Sequence, residues 1–426
     1  LVALRRLREN YLIAGENKEL TKGEWFMRCG SKVKTIFFSA MAVGILMLSG
    51  CSSKKISTTA VTDASYRVMT KTEDGYYFLD YIQEGKGRLM INYLPTDGDK
   101  AVPLCNKANC KHRCDVEGCV HDGRDTCELK DCDAHITDYN SYDTGILSYD
   151  GKLYFIMLTK DGQGLYTVSA DGAKRELVGI VDENRQADID KFTLYKGYMY
   201  YSIRDYKNKT ESLYIYKVNL NDMTDKTQVF QADNAHVGVN DMRGYEEGLF
   251  FNIAYLRTGE YVEDIDASVA YELYQITDGG AEKVIDRDDI MGFVVNDGWL
   301  YYYAVGDSSL YRYDLKTDVT EKLYKAEDNT IYSLWSDSNY IYLDNEPYVR
   351  YCTILRYGEY PLALTVLEKD GTFVKNIEFN TSRGHFVGGD DKYMFYNYFD
   401  TTRVYDKSSM DSGVTELRNV SACLDE

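Results

Sequence analysis

Residues 293–325 read FVVNDGWLYYYAVGDSSLYRYDLKTDVTEKLYK. A small apolar run at 293–295 is followed by an aromatic run at 300–302, a Leu-Tyr run at 310–313 and an alternating polar and apolar run at 321–324. Short apolar or alternating runs separated by Asp, Gly, Ser and Thr are typical of antiparallel strands joined by turns. The stretch therefore predicts four short strands in one sheet.

The aromatic run of this unit recurs, so that the chain contains seven copies. They are Tyr76-Tyr77-Phe78, Leu153-Tyr154-Phe155, Met199-Tyr200-Tyr201, Leu249-Phe250-Phe251, Leu300-Tyr301-Tyr302, Ile341-Tyr342-Leu343 and Met394-Phe395-Tyr396. Successive copies start 77, 46, 50, 51, 41 and 53 residues apart. Four strands in a period of about fifty residues are typical of a β-propeller blade, because one blade cannot cover its own faces whereas a ring of blades can.

The sequence thus predicts an all-β fold, a β-propeller over residues 65–418 with seven four-stranded blades. Six or eight blades are the alternatives, because the first and sixth copies are the weakest. The composition agrees with strands, since the chain contains 40 Tyr and only 4 Pro, and aromatic residues favour a pleated, half-buried surface. The net charge of −19 argues against binding nucleic acid, which requires a basic patch.

The N-terminal part carries an export pattern. Positively charged residues precede a short apolar run at 35–48, which is too short for a comfortable membrane span. The run ends in Leu48-Ser49-Gly50-Cys51, which resembles the bacterial lipobox at all four positions. The resemblance implies that Cys51 is lipidated and becomes the first residue of the mature protein.

This pattern divides the N-terminal region into three parts. Residues 1–50 are interpreted as a signal peptide region, in which 1–26 represent a mis-assigned start and translation begins at Met27. Residues 51–64 are interpreted as a lipidated, flexible tether. We therefore expect a lipoprotein anchored in the cell membrane on its extracytoplasmic face.

Six of the ten cysteines and three of the five histidines fall within 31 consecutive residues. They are Cys105, Cys110, Cys114, Cys119, Cys127 and Cys132, with His112, His121 and His135. Cys-x4-Cys occurs three times here, and a histidine follows each copy. The 41 residues between Leu104 and Ile146 compare with six between Ile285 and Gly292. We predict an insertion, residues 105–145, between blades one and two on the propeller face that carries binding loops.

Three interpretations fit this Cys/His-rich insertion. Disulfides are the first, because thiols outside the membrane are oxidised, and six cysteines allow fifteen pairings. A structural zinc site is the second, because thiolates and imidazoles are zinc ligands, although the usual ligand spacing is shorter. A redox centre is the third, but covalent haem needs a histidine adjacent to the second cysteine, and iron–sulfur clusters are rarely assembled outside the cytoplasm.

A family resemblance adds to this interpretation. Leu104-Cys105-Asn106-Lys107-Ala108-Asn109-Cys110-Lys111-His112 matches the phrase LCNK-x-x-C-x-H of a group of Gram-positive lipoproteins. Their propeller repeats are similar to those of low-density-lipoprotein-receptor-related proteins. The resemblance implies a propeller and an extracytoplasmic location. It implies no activity and identifies no catalytic residue.

Two functions remain open from the sequence. In the first, the anchored propeller binds an extracellular ligand or partner, either a glycan or a protein. In the second, it is a propeller-type glycoside hydrolase or polysaccharide lyase that uses carboxylates at the central channel. We favour binding over catalysis, because the chain contains no Gly-x-Ser-x-Gly, phosphate-loop or His-Glu-x-x-His motif.

Overall fold

The computed structural model describes residues 65–66, 69–81, 89–112, 129, 131–136, 145–207, 210–257, 269–326, 331–345, 362–379, 385–398 and 401–422. In these ranges the chain forms thirty strands, which make seven sheets, and two short 3-10 helices. The fold is a seven-bladed β-propeller, which confirms the prediction from the repeat. Among the described residues, no helix has the length and apolar character needed to cross a membrane. The signal peptide region, Cys51 and the whole tether lie outside the described ranges.

Each blade is built from one continuous part of the chain. Blade one contains β1 (Ser65–Tyr66), β2 (Met69–Lys71), β3 (Gly75–Tyr81), β4 (Leu89–Pro95), β5 (Val102–Pro103) and β6 (His135–Ile136). Blade two contains β7 (Leu147–Tyr149), β8 (Lys152–Thr159), β9 (Gly162–Ser169) and β10 (Arg175–Asp182). Blade three contains β11 (Asp188–Tyr195), β12 (Tyr198–Lys207), β13 (Thr210–Asn219) and β14 (Asp222–Asp233). Blade four contains β15 (Gly238–Tyr245), β16 (Gly248–Leu256), β17 (Val269–Thr277) and β18 (Gly280–Lys283).

The last three blades follow the same order. Blade five contains β19 (Ile290–Asn296), β20 (Trp299–Ala304), η1 (Val305–Asp307), β21 (Ser309–Asp314) and β22 (Thr320–Lys325). Blade six contains β23 (Ile331–Ser336), β24 (Tyr340–Asn345), β25 (Leu362–Glu368) and β26 (Phe373–Phe379). Blade seven contains β27 (His385–Gly389), β28 (Tyr393–Tyr398), β29 (Thr401–Asp406), η2 (Lys407–Ser412) and β30 (Arg418–Asn419).

The seven aromatic runs lie on equivalent strands, namely β3, β8, β12, β16, β20, β24 and β28. In the first five blades an aromatic side chain of this strand stands directly opposite a tyrosine of the next strand, with ring centroids 5.1 to 6.0 Å apart. The pairs are Tyr77–Tyr93, Phe155–Tyr166, Tyr201–Tyr216, Phe251–Tyr274 and Tyr302–Tyr311. Such pairs contribute about 0.5–1.5 kcal/mol each beyond the area they bury. They account structurally for much of the repeated aromatic signal.

The two faces of the propeller differ in the length of their connections. The aromatic strand is counted as the second strand of each blade, so that in blade one β2, β3 and β4 are the first, second and third strands. The first-to-second strand connections contain two or three residues in every blade, as at Asp150-Gly151 and Asp297-Gly298. The second-to-third strand connections leave from the opposite ends of the strands and reach seven residues after β3, twelve after β16 and sixteen after β24. We call this second face the loop face and the first the turn face. The blade-to-blade connections also leave from the loop face.

The outer strand of blade one is split in two. In β5, Val102 and Pro103 pair with Tyr93 and Asn92 of β4. The two residues of β6 pair with Leu89 and Met90, farther along the same strand. The Cys/His-rich segment therefore begins inside the outer strand and returns to complete it, rather than starting after that strand has ended.

The two described ends of the insertion lie at different heights along the outer edge of blade one. The backbone N–H of Asn106 lies 3.5 Å from the carbonyl oxygen of Gly172, in the third-to-fourth strand turn of blade two, which is on the turn face. The strand β6 pairs with Leu89 and Met90, at the loop-face end of β4. The predicted position of residues 105–145 on the face with the binding loops stays a prediction, because most of these residues lie outside the described ranges.

Candidate metal centre

Tight backbone turns position four donor side chains around the break in the outer strand. Cys105 follows β5, and its N–H donates to Pro103 at 2.8 Å. The N–H of Cys110 donates to the carbonyl of Lys107 at 3.0 Å. Cys132 closes a similar turn shortly before β6. His112 has a φ of 55°, in the left-handed region that non-glycine residues seldom adopt.

The four donor groups converge. The sulfurs of Cys105, Cys110 and Cys132 and a ring nitrogen of His112 all lie within 4.8 Å of one another. The sulfur of Cys132 and Nδ1 of His112 are 3.8 Å apart. All three cysteines are free thiols in the structure. This donor set is the one that a soft or borderline transition-metal ion prefers.

A charged side chain also links the two ends of the segment. Nζ of Lys107 donates to the carbonyl oxygen of Asp131 at 2.5 Å and to the carboxylate of Asp133 at 3.0 Å. These two acceptors flank Cys132, so Lys107 links the beginning of the segment to its end. Arg175 of blade two donates to the carbonyl oxygen of His135 at 2.7 Å. The cluster is thus attached to both blades.

Apolar side chains next to the ligands fix the segment to the propeller core. Leu129, Ala134 and Ile136 are fully buried. They belong to one apolar cluster with Ile91 of blade one and Phe155 of blade two. Burying three such side chains stabilises this position by several kcal/mol at about 25 cal/mol per Å². The end of the insertion is therefore part of the interface between blades one and two.

The surroundings shift the proton affinities of the ligands. Burial opposes ionisation of Cys105, but the backbone N–H groups of Lys107 and Asp133 and the neighbouring thiols outweigh it, so the pKa of Cys105 is lowered. Burial raises the pKa of Cys132, and the negative charge of Cys105 raises it further. Burial also lowers the pKa of His112, which favours the neutral imidazole that coordinates metals.

The structure divides the predicted ligands into three groups. Cys105, Cys110, His112 and Cys132 come together. His135 does not join them, because it is buried in β6 with Nδ1 3.3 Å from the carbonyl oxygen of Leu129. The remaining candidates lie outside the described residues, namely Cys114, Cys119, Cys127 and His121.

Comparisons with known proteins bear on the fold. No family model matches the sequence, and no curated protein matches it. A structure from a mechanistic study of two prolyl endopeptidases matches with a TM-score of 0.50 and 11% identity, over 84% of this chain and 48% of that one. A puromycin hydrolase structure matches with a TM-score of 0.50 and 11% identity, over 84% and 53%. The chain spans about half the length of these proteins, and the likeness is one of fold.

Proposed function

We propose that the protein is a lipid-anchored, extracytoplasmic propeller that binds a protein partner through its loop face. The observation that carries this proposal is the difference between the two faces. The three longest second-to-third connections, which leave from the loop face, contain 7, 12 and 16 residues, whereas those of the turn face contain two or three residues between first and second strands and two to eleven between third and fourth strands. Binding residues concentrate on loops held by a rigid scaffold, and a ring of seven blades is such a scaffold.

A protein partner is favoured over a glycan by the positions of the tyrosines. Sugar-binding sites often use exposed aromatic faces on which the apolar face of a sugar packs. In the described blades, aromatic side chains of the repeat, such as Tyr77, Tyr201 and Tyr302, are buried against neighbouring strands. The net charge of −19 instead favours a basic surface on a protein partner, with an association rate that falls as salt is added.

The carboxylates of the inner strands support catalysis at the central channel less well than the loops support binding. A glycosidase requires two carboxyl groups that are free to act on one bond. In blade three, Asp188 pairs with Arg204 at 2.6 Å and Asp190 lies 3.8 Å from the ammonium of Lys191. In blade four, Asp241 pairs with Arg243 at 2.7 Å. These described carboxylates take part in ion pairs within their own blades.

Site-specific photo-crosslinking in intact cells tests the binding face. A photoreactive amino acid replaces Glu263, in the connection between β16 and β17, or Glu246, an exposed residue in the first-to-second turn of the same blade. We expect discrete protein adducts from position 263 that weaken at high salt, and none from position 246. Equal adducts from both positions, or recovery of glycan adducts alone, would contradict the proposal.

Metabolic labelling with a fatty acid tests the anchor separately. The full chain should incorporate the label and fractionate with membranes, because a lipidated Cys51 is the residue that the lipobox resemblance identifies. Cys51→Ala should lose both properties, whereas Cys29→Ala should keep them. Incorporation of the label in the absence of Cys51 would reject this lipidation site.

A further inference from the structure

We propose that Cys105, Cys110, His112 and Cys132 bind one zinc ion that joins the two halves of the split outer strand of blade one. Zinc–sulfur bonds of about 2.3 Å and zinc–nitrogen bonds of about 2.0 Å place the donors of a tetrahedral site roughly 3.5–3.8 Å apart. The sulfur of Cys132 and Nδ1 of His112 already lie 3.8 Å apart. All four donor atoms fall within 4.8 Å of one another.

The number of protein ligands indicates a structural ion. A catalytic zinc ion keeps one coordination position for water or substrate, whereas a structural ion has four protein ligands. The cluster supplies three thiols and one imidazole. Cys132 is fully buried, and the other three residues are partly buried. The geometry therefore supports a closed site that holds the chain rather than one that performs a reaction.

The position of the ligands explains what the ion does. β5 ends at Pro103 and β6 begins at His135, and both halves lie on β4. Cys105 is two residues after the first half, and Cys132 is three residues before the second. An ion bound by both cysteines joins the two ends of the segment between β5 and β6. It thereby holds the two halves of the outer strand together, as a continuous backbone does in the other blades.

Disulfide bonding satisfies this cluster less well. Within the described part of the insertion, three thiols can form one disulfide, which leaves the third thiol and His112 without a role in a partly buried site. A divalent ion can instead bind the three sulfurs and the ring nitrogen of His112 together. This inference does not depend on which partner the loop face binds.

Metal analysis of the full chain tests the ligands. The protein is produced with zinc in the medium, purified without chelator and analysed by plasma mass spectrometry. We expect Cys132→Ser to lose about one zinc ion per chain relative to the wild type. Cys352→Ser, a thiol remote in the sequence, should lose none. His112→Cys should retain the ion because it supplies another thiolate, whereas His112→Ala should lose it.

Hydrogen exchange of the wild-type chain tests the role of the ion without relying on a variant. Removal of zinc by a chelator should increase amide exchange in β4, β6 and the turn around Gly172, and leave β15 and β16 of blade four unchanged. Zinc content that is the same in the wild type and in Cys132→Ser would reject the site. So would wild-type protein without zinc in which Cys105, Cys110 or Cys132 forms a disulfide. Unchanged exchange after metal removal would reject the structural role.

Discussion

Single side chains decide how neighbouring blades contact one another. Lys407, after β29 of blade seven, forms an ion pair with Asp337 in the first-to-second turn of blade six, and both side chains are more than nine-tenths buried, with 6% and 2% exposed. The Lys407 ammonium also lies 4.4 Å from the ring centroid of Tyr342 and 5.0 Å from that of Trp335. The hydroxyl of Tyr342 donates to Asp337 at 2.7 Å. The two opposite charges can be buried beside these aromatic rings because they form an ion pair with each other.

The pKa of Asp337 reflects this pairing. Burial alone would raise it, but Lys407, Tyr342 and the backbone N–H of Tyr340 outweigh burial and hold the pKa below its usual value. A carboxyl group with a lowered pKa in the folded state stabilises the protein above its unfolded pKa of about 4. That contribution is lost as the pH falls through the folded pKa.

Replacing Lys407 by Met should leave the Asp337 carboxylate buried without its cation. We expect a loss of about 3–5 kcal/mol of unfolding free energy at pH 7. The loss should shrink as the pH falls toward 4, because the unpaired carboxyl then has a raised pKa and folding favours its protonated form. Urea unfolding at several pH values measures this. Adding Asp337→Asn should recover part of the loss, and a loss independent of pH would contradict the electrostatic explanation.

At the scale of the element, the turn between β9 and β10 supports the metal-binding segment. Gly172 has a φ of +69°, and a Cβ atom there would lie 2.9–3.0 Å from the backbone of Leu104 and Cys105. Gly151, in another turn of the same blade, has a φ of +72° with nothing within 4 Å of the corresponding point. The two glycines share a left-handed backbone and differ in whether blade one is close.

This difference provides a matched pair of variants. Gly151→Ala should cost about 1–2 kcal/mol of unfolding free energy, because alanine is strained in the left-handed region. Gly172→Ala adds a backbone clash and should cost roughly 2–4 kcal/mol, together with part of the bound zinc. Unfolding in urea and zinc analysis of both proteins check this. Equal effects of the two substitutions would mean that the approach of Leu104 does not matter.

The repeat predicted the propeller because the same aromatic run recurs once per blade. Phe251 and Tyr302 carry this signal, and both stack on the tyrosine opposite them. The split strand gave no such signal, since β5 and β6 contain two residues each. The spacing of the cysteines identified the candidate ligands. It could not select Cys132 as the fourth ligand, because that choice depends on how β6 returns to β4.

At the scale of the whole molecule, the ring closes without a shared strand among the described sheets. Blade one contains β1–β6 and blade seven β27–β30, and no described strand pairs between them. Side chains close the ring instead. The buried residues Tyr76 and Phe78 of blade one pack with Phe395 of blade seven. Between the described residues of these two blades, the backbone N–H of Ala101 also donates to the carbonyl of Val420 at 3.0 Å.

Asp390 is the polar centre of this closure. Its carboxylate accepts from Lys71 at 2.5 Å and from the hydroxyl of Tyr76 at 2.8 Å, both in blade one. It also accepts from the backbone N–H groups of Lys392 and Tyr393 within its own turn, each at 2.9 Å. Burial opposes its ionisation, but these donors outweigh burial and lower its pKa. One side chain thus connects the last blade to the first.

Asp390→Asn should loosen this closure while the turn itself is kept, because an amide oxygen can still accept from the two backbone N–H groups. We expect a loss of about 1–2 kcal/mol of unfolding free energy, since the bonds from Lys71 and Tyr76 lose their charged acceptor. Amide exchange should rise in β2, β3, β27 and β28 and stay unchanged in β15 and β16. Asp297→Asn, at an exposed turn of blade five, should change stability by less than about 0.5 kcal/mol. Exchange that rises equally in all seven blades would mean that the ring opens as one unit rather than at this seam.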